Sequence, residues 1–146
     1  MNATMPQHAL SVPTPSATED RGAASDAPRS LLRLEGAVAG VGATLAYAAM
    51  NGRWSLFALL LLVPDLSMLG YLAGRRVGAA CYNAIHSYLG AALLAALGLL
   101  LGAHALSCVA CIWAAHIGFD RLLGYGLKYG TSFGDSHLGH MGRSEP

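Results

Sequence analysis

Apolar residues are not scattered along this chain but gathered into four long runs, at about 34–50, 54–73, 77–103 and 105–126. Each holds about 17 to 27 residues, and a helix rising about 1.5 Å per residue needs about 20 to cross a bilayer's hydrocarbon core. The pattern therefore predicts an all-α, membrane-embedded bundle of four transmembrane helices. Barrel strands would alternate polar and apolar residues over about ten positions, and none of the runs alternates. The links are short: Asn51, Gly52 and Arg53, then Gly74, Arg75 and Arg76, then a turn near Gly102 to His104. Links of that length make neighbouring helices antiparallel.

Outside the runs the chain changes character. Residues 1–30 carry four of the six prolines among Ser, Thr and Ala, and read as a disordered tail. The four-helix domain is placed at 31–128, and 129–146 as a cytoplasmic tail rich in Gly and His. The opening residues lack the basic stretch and apolar core of a secretory signal. Arg29 and Arg33 ahead of a run that reaches Ala46, Tyr47 and Ala48 leave a cleaved signal as an alternative to the first span.

Composition agrees with the pattern. Hydrophobic residues make up 54% and charged ones 12%, with a mean hydropathy of +0.45, whereas a soluble domain carries about a quarter charged residues. A net charge of +1 and a single lysine, Lys128, give no cationic face for nucleic acid. The expected partner is the lipid bilayer. Eighteen glycines, with pairs such as Gly36 and Gly40, Gly70 and Gly74, and Gly98 and Gly102, suit close helix contact and allow a homo-oligomer. Arg21, Arg29, Arg33, Arg75, Arg76, Arg121, Lys128 and Arg143 fall on one side of the four-span arrangement and Arg53 alone on the other. By the positive-inside rule both termini are cytoplasmic and the protein is a multi-pass component of the inner membrane.

The candidate chemistry lies in the few ionisable residues inside the runs. Each costs at least about 2.5 to 3.5 kcal/mol to insert, so such residues face the bundle interior and find partners. Asp65 is expected about 12 Å from the cytoplasmic end of its helix, His86 about 13 Å, His116 about 15 Å and Asp120 about 9 Å. Glu35 opens the first run on the same side, so all four helices are expected to feed one layer. His116 and Asp120 are four apart, and Tyr82, Asn83 and His86 fall within one turn. Pro64 removes a backbone donor beside Asp65 and predicts a kink there. Asp65, His86, His116 and Asp120, with Asp135 and His137 from a tail able to fold back as a lid, match the ligand chemistry of zinc, iron or manganese. Asp65, His116 and Asp120 are the candidate catalytic residues. Arg121 and Lys128 suit an anionic head group. The same polar residues equally suit plain structural pairing, or a proton or ion relay.

Three functional classes follow: a membrane hydrolase with a cytoplasm-facing metal site, a non-enzymatic module such as a transporter subunit or assembly partner, and a quinone-linked thiol oxidoreductase using Cys108 and Cys111. The last has a CxxC near a helix start, but the outward links hold no second cysteine pair and Cys81 belongs to the other side. Small buried thiols packing like alanine are the alternative to a redox pair.

Several motifs stand together: Arg33, Glu35 and Gly36; Pro64, Asp65, Gly70 and Tyr71; Gly78, Tyr82, Asn83 and His86; Trp113, His116, Gly118, Asp120, Arg121, Gly124, Tyr125, Gly126, Lys128 and Tyr129; and Phe133, Asp135, His137 and Gly139. In this combination the chain resembles a bacterial membrane-protein family known only as an uncharacterised domain of unknown function, number 4260. The resemblance covers about 31–142 and leaves out the N-terminal tail and the CxxC. It implies a compact bacterial membrane protein and supplies no activity or catalytic residues.

Overall fold

In a computed structural model of the chain, the described residues are 26–129, 135–136 and 138–140. They form an all-α bundle: α1 (Asp26–Ala49), α2 (Trp54–Leu61) continued by a 3-10 helix η1 (Val63–Ala73), α3 (Arg75–Ile85) followed by α4 (Tyr88–Leu100), and α5 (His104–Leu123). Two-residue strands β1 (Asp135–Ser136) and β2 (Gly139–His140) pair antiparallel, and Lys128 bridges to Ser136. Three stretches are long and apolar enough to cross a membrane: Trp54–Ala73, Arg75–Leu100 and His104–Leu123. α1 is longer than the run predicted from residue 34 but does not reach the same hydropathy, because Arg29, Arg33 and Glu35 lie in it.

α5 is the axis, with α1 and α4 packed along it, α2 touching it, and α3 lying against η1. The α1 seam is a backbone-to-backbone approach. A Cβ on Gly118 would fall 2.4 Å from the Gly40 nitrogen and 2.7 Å from the Gly36 carbonyl, and one on Gly36 would meet Arg121. The predicted glycine pair 36 and 40 is thus a real contact surface of the small-residue kind. Gly70 meets Cys81 and Gly98 meets Ser107, while Gly74 and Gly102 sit in turns at φ +115° and +60° with open space around them. At the His104 end, Tyr47 is fully buried beside Phe57, Cys108, Ile112 and Ala115. Its hydroxyl donates to the Arg53 carbonyl at 2.7 Å, closing the α1 to α2 turn.

The kink predicted at Pro64 is a change of helix type. Runs of 3-10 helix beyond three or four residues are uncommon, yet η1 holds eleven. Its period of three sorts the side chains: Val63, Leu66, Leu69 and Leu72 are all exposed, as lipid-facing residues would be. Pro64 and Ser67 line one cavity, and Asp65 and Met68 another.

The third run, predicted as one helix over 77–103, is broken. α3 stops at Ile85, His86 caps it, and Ser87 in an extended conformation starts α4 by accepting from the Leu89 amide at 3.2 Å. Serine is a preferred N-cap because its hydroxyl satisfies an orphan donor of the first turn. The fourth run also ends early, at Leu123, with Gly124 in the left-handed conformation at φ +97°.

Candidate metal centre

The break in the third run builds the site. Because α3 ends there, the Tyr82 carbonyl accepts both the His86 amide, at 2.8 Å, and the His86 Nδ1–H, at 3.0 Å. A hydrogen on Nδ1 leaves the Nε2 lone pair of the neutral ring free. The ring is held flat on Tyr82, with centroids 3.7 Å apart and planes 10° apart. The Ile85 carbonyl, freed by the same break, accepts from the Trp113 indole at 2.7 Å and ties the break to α5.

Four ligand atoms meet around that lone pair. His116 Nε2 lies 3.1 Å from His86 Nε2. Asp120 Oδ2 is 3.4 Å from His86 Nε2 and 3.6 Å from His116 Nε2. Asp65 Oδ1 is 3.6 Å from each imidazole nitrogen. All four atoms lie within 4.8 Å of one another. Ligands about 2.0 to 2.1 Å from a tetrahedral zinc stand about 3.3 to 3.4 Å apart, so five of the six edges sit close to what such an ion requires. The donor set of two imidazoles and two carboxylates also suits zinc, iron or manganese. These four groups could hold a cation among them, the two carboxylates supplying charge and the imidazoles lone pairs.

Burial is uneven. The side chains of His86, His116 and Asp120 are 3%, 5% and 18% exposed, against 43% for Asp65. Asp65 stands on the open side, where a cavity of about 480 Å³ is lined by Asp65, Met68, Tyr82, Asp120, Tyr125 and Lys128. Tyr82 donates its hydroxyl to Asp120 Oδ2 at 3.3 Å, an outer-shell contact of the kind that orients a ligand.

The predicted site residues therefore divide. Asp65, His86, His116 and Asp120 come together, Tyr82 contacts His86 and Asp120, and Asn83 pairs instead with Lys128. Glu35 does not join: it is exposed on α1, about 100° around the helix from the face that Gly36 and Gly40 press on α5, so three segments build the layer instead of four. Arg121 lies over the Tyr88 ring at 5.2 Å. His137 lies outside the described residues, as does the Asp135 side chain. Lys128 is held by a two-bond clamp: Asn83 Nδ2 donates to its carbonyl at 2.8 Å and its amide donates to Asn83 Oδ1 at 2.7 Å. Its ammonium stands 5.6 Å from the Tyr82 ring centre and 5.9 Å from that of Tyr125. Burial holds the Lys128 pKa below its ordinary 10.5, against an opposing pull from Asp120. The sequence contained Asn83 and Lys128 but no sign that they pair, because the clamp joins residues 45 apart.

Among the described residues all three thiols are free. Cys108 packs in the Tyr47 core with its sulfur 3.7 Å from His104 Nδ1, and Cys81 is exposed on α3.

Residues 29–141 match the family model of a domain of unknown function, DUF4260. The chain belongs to this family. No curated protein and no solved structure matches it. The family match spans every ligand of the cluster, along with Asn83 and Lys128.

Proposed function

We propose that this DUF4260 protein is a multi-pass inner-membrane protein whose His/Asp cluster binds one divalent metal ion and hydrolyses a membrane-associated substrate. The single observation behind this reading is the meeting of one ligand atom each from Asp65, His86, His116 and Asp120, all within 4.8 Å of one another. His86, His116 and Asp120 are the buried ligands, and two imidazoles with one carboxylate are a set used by catalytic zinc. A divalent ion so held would acidify a water and polarise the bond to be cleaved. Asp65, half exposed on the cavity side, is the group placed to take the proton from a water that an ion held by the other three residues would activate. Tyr82 keeps Asp120 oriented, and Lys128, clamped by Asn83 at the cavity wall, offers positive charge to an anionic head group.

With α1 taken as a fourth crossing beside the three more apolar stretches, the charge distribution supports an orientation with both termini and the cluster on the cytoplasmic side. Metal analysis of the purified protein decides the reading: about one zinc, iron or manganese per chain, lost in His116→Ala, is expected. A wild type that holds no stoichiometric metal and takes up none of the three overturns it.

One observation favours a second reading, a non-enzymatic membrane module. His116 to His86 at 3.1 Å and Tyr82 to Asp120 at 3.3 Å are already hydrogen-bond distances, so the layer suffices to fix helix register. Under that reading Asp65→Asn and His116→Gln lower thermal stability and change nothing else.

A further inference from the structure

A second cavity, of about 380 Å³, lies on the other side of η1 from the cluster's cavity, and it is almost wholly apolar. Its walls include Pro64 and Ser67 of η1, Ile85 of α3, and Val109, Ile112 and Trp113 of α5. Three of these adjoin the metal ligands directly: Pro64 precedes Asp65, Ile85 precedes His86, and Ile112 lies one turn before His116. Along α5 the cavity thus begins about 5 Å from the level of His116 and continues another turn to Val109. It stays within the stretches apolar enough to cross a membrane, and Val63 on its wall is exposed. Among the lining residues is Ser67, whose hydroxyl is buried and has no hydrogen-bond partner among the described residues. Buried hydroxyls are normally satisfied, and this one lines the cavity two residues along η1 from Asp65.

The geometry points to an acyl-ester amphiphile as the substrate, its hydrocarbon chain in this cavity, its ester oxygen on the Ser67 hydroxyl and its anionic head toward Lys128. This rests on the hydrolytic reading of the cluster. The polar cleft with Lys128, the cluster and the apolar cavity with Ser67 on its wall follow one another in the order in which head, scissile bond and chain follow one another in such a lipid. Hydrolysis of the ester adds water across the acyl carbon to oxygen bond, releasing a carboxylate and an alcohol.

Trp113 reports on the cavity from within. In protein carrying Trp54→Phe it is the single tryptophan, and a lysophosphatidate with a brominated acyl chain, titrated into nanodiscs of unbrominated phospholipid, should quench it saturably. Val109→Phe, which fills the cavity, should weaken that binding by at least about tenfold. Ser67→Ala, which keeps the volume and removes the hydroxyl, should weaken it by a smaller factor and cover the case in which the larger side chain prevents folding. Quenching that merely rises in proportion to brominated lipid, alike in wild type and both variants, overturns the proposal. Metal is measured on the same samples and the titration is repeated after chelation. Saturable quenching without metal refutes the hydrolytic centre and keeps the chain site, and stoichiometric metal with proportional quenching does the reverse.

Discussion

α5 presents two unlike faces to its neighbours. Toward α1 it offers Gly118, across which backbones touch and no side chain intervenes. Toward η1 and α3 it offers His116 and Asp120, which reach across to two more ionisable groups. The first seam is sealed by dispersion between atoms that nothing else could approach. The second is stabilised only if its lone pairs are compensated. A tight apolar seam fixes the axis, and the fixed axis holds His116 and Asp120 within reach of His86 and Asp65. The glycine face is the foundation of the polar one.

Breaking the glycine face should have the largest effect. Gly118→Val places a side chain on backbone atoms that cannot yield, and overpacking of this kind costs about 3 kcal/mol or more. Thermal unfolding in detergent should drop sharply or the protein should fail to accumulate, and a near-normal midpoint would mean that the seam is looser than described. On the polar face, His116→Ala should abolish the stabilisation by added metal, which for the wild type amounts to about 2.7 kcal/mol at a concentration 100 times the dissociation constant. Chelator added to wild type should lower its midpoint to that of the apo protein. Equal responses to metal in the two proteins would refute the assignment of ligands.

Asp65→Asn probes the difference in burial among the ligands. Because Asp65 is the exposed one, this variant should retain metal with affinity reduced by no more than about 10- to 100-fold, whereas Asp120→Asn should lose it. Matching losses in the two variants would erase the distinction between closed and open sides. Asn83→Ala removes two hydrogen bonds to the Lys128 backbone and should cost about 1 to 3 kcal/mol, read as faster amide exchange at Lys128. The smallest expected effect is in the pH dependence. Lys128 has a folded pKa below its ordinary 10.5, so between those two values the unfolded chain binds more protons and stability rises with pH. Lys128→Met should flatten that rise above neutral pH, while leaving the metal response intact.

Much of this was legible in the sequence, for physical reasons. Apolar run length gave the membrane-crossing stretches, since backbone polar groups in lipid must be satisfied internally. The cost of burying charge pointed to the four residues that come together in the cluster, since ionisable residues in such stretches seek each other. Glu35 misled because depth was judged without rotation about the helix axis. The helix break was concealed by residues that differ little from their surroundings, His86 and Ser87 standing between two strong helix formers' segments. Its sign was the N-cap serine within an apolar run. The long 3-10 stretch had a clearer mark, the spacing of Val63, Leu66, Leu69 and Leu72 at every third position, which an assumed period of 3.6 overlooks. The clamp of Asn83 on Lys128 and the chain-sized cavity are products of tertiary contact and left no local trace.

The 3-10 stretch also changes the dimensions of the protein. A residue rises about 2.0 Å there against about 1.5 Å in an α-helix, so the eleven residues of η1 reach about 5 Å further than the same residues wound as α-helix. Trp54–Ala73 is therefore over-long for its residue count, and a segment longer than the local hydrocarbon thickness tilts or thickens the bilayer around it. Because Asp65 is carried on that same stretch, bilayer thickness and the position of the most exposed residue of the cluster are mechanically joined.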